Sequence, residues 1–215
     1  MTWQDVRIAT LQKMFEIQGD TLEENDATRP YILSMPQVAN EGLLRLATVG
    51  RYLLRELTLV HGAVPTGEIP TVTSALGPGW RRYDMTGLDA DFYDFDEMEI
   101  FFQAGATVGR TSDFRIEAER ILMLPGERAG LWRVHYRVYP GEISRETLPG
   151  YVLPLHPEMA VILPLYMASQ LYKDDDAGMS TTWRNEFEVA LEALIAKNRR
   201  KRMGREEIEN TTGWW

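Results

Sequence analysis

The spacing of apolar residues changes period twice along this chain, and that double change limits the fold more than any single motif. The first part and the last repeat at helical spacing, whereas residues 63–150 alternate in short runs cut by Gly and Pro. A chain that leaves helix for strand and then returns to helix reads as a helical frame carrying an insertion. The expected fold class is α+β: a helical bundle frame, a small inserted antiparallel β-sandwich and an extended C-terminal tail. The expected boundaries are 1–62 and 151–203 for the two parts of the helical domain, 63–150 for the insert and 204–215 for the tail.

Local signals place the elements. Thr2 is expected to cap a first helix with Asp5 at its third position, and Ile8, Leu11, Met14 and Phe15 follow at helical spacing. Residues 19–28 are polar and acidic and read as a loop. Ser34 and Gln37 form an S-x-x-Q capping box with Pro36 in the first turn. They predict a second helix with a stripe through Ala39, Leu43, Leu46, Gly50, Leu53, Leu54 and Leu57. In the insert, turns are expected at 65–67, 77–79, 105–109, 126 and 141. The clearest strand is 131–139, with Trp132, Val134, Tyr136 and Val138 on one face and Arg133, His135 and Arg137 on the other. Met98, Ile100 and Phe102 alternate likewise. Phe114 and Ile116 open a hairpin that turns at 118–120 and returns through 121–124, its charged outer face set to pair with the arginine stripe.

Helix resumes near Pro157, and Pro164 predicts a kink. Leu163, Tyr166, Met167, Leu171 and Tyr172 fall on one helical face. A final helix, starting at 177–180 and running to about Lys201, carries the packing stripe Trp183, Phe187, Ala190, Leu191 and Leu194. Between them Asp174, Asp175 and Asp176 read as a helix cap, because carboxylates are favoured beside the partial positive charge of a helix N-terminus.

Composition narrows the function. With no cysteine, disulfides, thiolate metal sites and thiol nucleophiles are excluded, and folding is expected in a reducing, intracellular setting. No apolar run approaches the roughly 20 residues that span a bilayer, and no secretory leader is recognisable, so neither export nor a membrane partner is expected. A net charge of −9 argues against a protein that grips nucleic acid, since phosphate binding draws its free energy from Lys and Arg releasing counterions. An acidic wall could still line a passage through which duplex DNA slides without sticking.

The acidic run Asp84, Asp89, Asp91, Asp94, Asp96, Glu97 and Glu99 has no intervening cation. It lacks the glycine of a calcium loop and reads as a solvated loop and edge strand; a cation site or a glycosidase carboxylate pair is the chemical alternative. His61, His135 and His156 are far apart in sequence, and no GxSxG, HExxH or P-loop pattern occurs. No catalytic residue, cofactor or metal site is expected. Trp80, Tyr83, Phe92, Tyr93, Phe95 and Tyr139 offer an aromatic platform for a glycan-binding or decoration module. At the C-terminus Lys197, Arg199, Arg200, Lys201, Arg202 and Arg205 form a basic cluster on an otherwise acidic chain, and Trp214 and Trp215 end it. A basic stem with an aromatic tip suits docking into a partner's pocket; cations at a helix C-terminus followed by a frayed end is the plainer alternative.

The wording LYMASQLYKDDD followed by RNEFEVALEAL resembles the C-terminal helices of the head-to-tail adaptor (connector, neck) proteins of tailed bacteriophages. The likeness extends to the helical frame and to the join YPGEISRETLPGYVLPLHPE. It implies a structural virion protein, assembled in the host cytoplasm and resident at the head–tail interface. It also implies a dodecameric ring of neighbouring copies docked beneath the portal protein, with C-terminal tails reaching into the portal. Tail or neck stopper proteins would lie below, and double-stranded DNA would pass through without sequence recognition. The inserted β domain departs from the minimal, mostly helical adaptor.

Overall fold

Thr2 and Asp5 close the first turn on each other: Thr2 N–H donates to the Asp5 carboxylate at 2.8 Å, and Asp5 N–H donates to Thr2 Oγ1 at 3.2 Å. This reciprocal cap starts α1 (Trp3–Phe15), which buries Trp3, Val6, Leu11 and Met14. A computed structural model describes residues 1–15, 22, 24–50 and 53–210, with side chains at 49–50, 96–99 and 198–210 outside the description.

The second helix starts earlier than its apparent capping box. Asn25 Oδ1 accepts from the N–H groups of Ala27 and Thr28, both at 3.0 Å, and this turn launches α2 (Arg29–Arg45) with Pro30 in the first turn. Ser34 therefore lies inside the helix, donating to the Pro30 carbonyl at 3.2 Å, and Pro36 is interior. The helix also stops sooner than expected, passing into a π-helical turn at Leu46–Gly50. Leu53, Leu54 and Leu57, which fit the helical stripe, belong instead to β1 (Leu53–His61), because a full-length cross-strand partner outweighs their helix propensity.

That shift moves the domain boundary. The chain divides into a helical unit, Met1–Tyr52 with Pro140–Trp215, and a strand unit, Leu53–Tyr139, in place of the expected 63–150. The strand unit runs β2 (Val72–Ser74), β3 (Trp80–Asp84), a short α3 (Met85–Leu88), β4 (Phe92–Ala104), β5 (Thr107–Arg110), β6 (Arg115–Glu117), β7 (Ile121–Pro125) and β8 (Gly130–Val138). Two sheets result, one of five strands in the order β2-β1-β8-β4-β5 and one of three in the order β3-β7-β6. The pairing of β1 with β2 is parallel, so the unit is not wholly antiparallel.

Alternation fixes which side faces in. Leu57, Leu59, Trp132, Val134, Tyr136 and Val138 from β1 and β8 share one core with Tyr83, Leu122 and Leu124 of the smaller sheet. The β6–β7 hairpin turns through Ala118 and Glu119, both at positive φ, the backbone that a tight right-twisted hairpin requires. Its charged face does not meet the arginine stripe. Glu117 pairs with Arg82 at 3.0 Å, while Arg133 and Arg137 bind Glu68 and Asp94, also at 3.0 Å, within or beside their own sheet.

The returning chain forms α4 (Pro157–Ala160), α5 (Leu163–Leu171) and α6 (Ala177–Asn210). Pro164 sits in the first turn of α5, so the chain breaks into two helices there rather than kinking one. Trp3, Val6, Met35, Leu43, Leu163, Met167, Phe187 and Leu191 make one buried cluster from all the long helices.

Arg55 engages two carboxylates of the acidic run, Asp89 and Asp91. Its guanidinium binds both Asp89 oxygens at 2.9 Å and Asp91 at 2.8 Å, and Tyr136 donates to Asp89 Oδ2 at 2.7 Å. Burial alone would raise the Asp89 pKa, but the Tyr136 hydroxyl and Arg55 outweigh it and hold the carboxyl below its ordinary range. Asp89 and Asp91 are therefore clamped to the sheet and do not sit in a solvated loop, while the side chains at 96–99 lie outside the described residues. Tyr136→Phe deletes one charged hydrogen bond without leaving a cavity, and is expected to lower unfolding free energy in urea by about 1.5–3 kcal/mol. A loss below about 0.5 kcal/mol would show that the clamp does not hold the strand unit.

Candidate interaction sites

The residues that carry the adaptor-like wording meet in one joint of the helical unit. Asp176 caps α6, accepting from Met179 N–H at 2.9 Å, and Ser180 Oγ donates to the Ser169 carbonyl at 2.7 Å, tying α6 back to α5. Asp175 accepts from Tyr31 Oη at 2.6 Å, which pushes the phenol's pKa up to about 12. Tyr31, Phe15 and Tyr172 pack ring against ring beside it, with centroids 5.2 to 6.4 Å apart. The acidic hinge is thus built into the fold at two of its three carboxylates.

Below the hinge, Gly42 lets α2 approach α5 closely: a Cβ there would lie 2.5 Å from Leu163 Cδ1 and 2.8 Å from the Tyr166 ring. Phe187 is fully buried, 5.2 Å from the Tyr166 ring, with the Arg45 guanidinium 5.6 Å over its face and reaching Glu188 at 2.6 Å. Of the expected packing stripe, Phe187 and Leu191 are buried, whereas Trp183 and Leu194 are half-buried, Trp183 with the Lys13 ammonium 5.1 Å over its ring.

The basic cluster follows directly. Lys197 donates to Glu158 at 2.6 Å, and Arg199, Arg200, Lys201, Arg202 and Arg205 continue in the backbone of α6 to Asn210. The helix is about 50 Å long at roughly 1.5 Å per residue. Residues 204–210 are therefore helical and not an extended tail, because nothing in RKRMGREEIEN breaks the helix strongly except one Gly. Trp214 and Trp215 lie outside the described residues.

In the strand unit the aromatic platform does not assemble. Tyr83, Phe92 and Phe95 are core residues, and only Trp80, stacked under Arg115 at 4.4 Å, and the Tyr93–Tyr139 pair at 4.8 Å remain toward the surface. Asp89, Asp91 and Asp94 are engaged by arginines, and Asp89 is held ionised, the opposite of the raised pKa a glycosidase acid needs. No cluster of metal-ligating side chains occurs among the described residues, and no helix among them is long and apolar enough to cross a membrane.

One polar line has no counterpart in the sequence pattern. His61 is fully buried, with Nδ1 3.1 Å from the Pro125 carbonyl and Nε2 2.7 Å from Tyr83 Oη, which lies 2.9 Å from Ser74 Oγ. Burial pushes the Tyr83 phenol up, so it stays protonated and cannot serve as a base for Ser74. Its residues are 9 and 13 or more positions apart in sequence, with no motif to link them. No protein-family model matches this chain, and no curated protein matches it in sequence.

Phe187→Ala would remove the ring that α5 and α6 share and is expected to cost about 3–5 kcal/mol in denaturant unfolding. A cost under about 1 kcal/mol would mean that the joint is not a packing centre.

Proposed function

We propose that this chain is a head-to-tail adaptor of a tailed bacteriophage, a structural protein that forms a ring beneath the portal and joins the DNA-filled head to the tail. One observation carries the reading: the residues resembling the adaptor helices are those of the α5–hinge–α6 joint, and α6 continues past its last described core residue, Ile195, to Asn210. That continuation holds all six residues of the basic cluster. A helix anchored at one end by Phe187 and Leu191 and basic at the other is suited to insertion into an acidic partner.

The division of labour follows from charge and burial. Rim charges act mainly on association and its salt dependence, while buried aromatic anchors slow dissociation. Arg199, Arg200, Lys201, Arg202 and Arg205 are assigned to steering toward the portal, and Trp214 and Trp215 to anchoring. The net −9 per copy opposes self-association at low salt and keeps passing duplex DNA from adhering. A non-enzymatic role agrees with a Ser74–Tyr83–His61 line whose phenol stays protonated and with carboxylates neutralised by Arg55 and Arg137.

Sedimentation with portal-bearing heads tests the proposal. The purified chain is expected to run as small species alone and to co-sediment with heads. Deletion of residues 205–215 is expected to leave the thermal transition in place and abolish attachment. Closed rings at low salt without portal, or a truncated chain that docks with full affinity, would contradict it.

A further inference from the structure

We infer that the outer face of the five-stranded sheet is the contact surface for a second copy of this chain, the two sheets meeting face to face about a two-fold axis that runs along the strands between β8 and β4. Register separates this face from the core. Leu57, Val134 and Ile100 point inward, so Glu56 of β1, Arg133, His135 and Arg137 of β8 and Phe101 of β4 point outward. Asp94, opposite Arg137, and Arg110 of β5, opposite Phe101, share that side. The face is open to solvent within the chain: Leu54 is 51% and Tyr139 40% exposed, and the Tyr139 ring packs on Tyr93 at 4.8 Å. Tyrosine, phenylalanine and arginine are the residue types enriched where proteins meet.

The charges decide the occupant, because they alternate by strand. In the spatial order β1-β8-β4-β5 the face carries Glu56, then Arg133 and Arg137, then Asp94, then Arg110. A two-fold axis between β8 and β4 sets β8 of one copy over β4 of the other and β1 over β5, so each stripe meets the opposite sign. Arg137 and Asp94, 3.0 Å apart within one chain, then face the Asp94 and Arg137 of the second copy in an alternating square. Glu56 meets Arg110 of the second copy with an offset of two residues along the strand, about 7 Å, which two long side chains span. Glu68, bound to Arg133 at 3.0 Å, completes the balance of acids and arginines among the described side chains of this face. The face is thus spared the repulsion that a net charge of −9 imposes on approach elsewhere. Four strands about 4.8 Å apart and about 30 Å long cover roughly 500 Å² in each copy, the lower limit for a specific contact, so a weak dimer with a Kd in the micromolar range is expected. The contact goes beyond the adaptor reading and does not rest on it: a cyclic ring joins copies head to tail, so a two-fold dimer belongs to the free chain.

Sedimentation equilibrium of the full chain at about 0.15 M salt tests this, and a monomer–dimer equilibrium is expected. Glu56→Arg and Arg110→Glu are each expected to weaken the dimer at least about tenfold, since each sets like charges against one another. Mixed in equal amounts, the two variants are expected to regain it, because each new charge then faces its opposite on the other chain. Within one chain β1 and β5 lie three strand spacings apart, about 14 Å, so mixing restores nothing inside a single copy. Deletion of residues 205–215, which the adaptor reading makes essential for attachment to heads, is expected to leave the dimer unchanged, so the two readings fail separately. A wild-type chain that stays monomeric at about 1 mM, single variants that associate like the wild type, or a mixture no tighter than its components would overturn the contact. Should either charge reversal prevent folding, Glu56→Gln and Arg110→Gln decide: a weaker dimer in both supports the contact, and unchanged association overturns it.

Discussion

The pairing of β1 with β8 is the constraint on which the rest depends. Nine residues of each strand run antiparallel without a register break, from Leu53 opposite Val138 to His61 opposite Gly130. Because Leu53, the first residue of the strand unit, is the cross-strand partner of Val138, the last but one, the unit begins and ends one strand spacing apart. The same register sets the alternation that sends Leu57, Leu59, Trp132, Val134 and Tyr136 inward, and it places His61 at the inner end of β1, where it meets Tyr83 and Pro125. A slip by one residue would expose every one of these side chains.

Charge is used in a consistent way across both units. Asp89 and Asp91 bind Arg55 and Asp94 binds Arg137 in the strand unit, as Glu188 binds Arg45 and Glu158 binds Lys197 in the helical unit. Most of these pairs are partly exposed and contribute little to stability individually. Asp89 differs because Tyr136 adds a hydrogen bond from the core side and the carboxylate is largely shielded, so this clamp also fixes the entry to β4.

Elements with local signals were legible in the sequence: the Thr2–Asp5 cap, the alternating strand of Trp132 to Val138, the hairpin through 118–120 and the Asp176 cap all depend on residues within a few positions of one another. Elements decided at long range were not. Leu53 to Leu57 carry a helical pattern and become strand only because β8 arrives from some eighty residues later. Tyr83, Phe92 and Phe95 look like surface aromatics among polar neighbours and are core because the two sheets that carry them pack face to face. Asp89, Asp91 and Asp94 conceal their counter-ions, since Arg55 and Arg137 lie on other strands. The His61 line has no local signature, as its partners lie on three different strands. The continuation of α6 to Asn210 has no distinctive signal, since a Lys and Arg run suits a helix C-terminus and is equally a run of good helix formers.

The proposed adaptor role joins a packed joint, Phe187 against Tyr166, to a helix whose basic far end seeks a partner. Cryo-EM of the virion neck at a resolution that traces helices tests it most directly. The expected map has a ring of copies of this chain beneath the portal, with the C-terminal end of α6 entering portal density. A neck in which no copy of this chain is present, or a ring in which α6 points away from the portal, would contradict it.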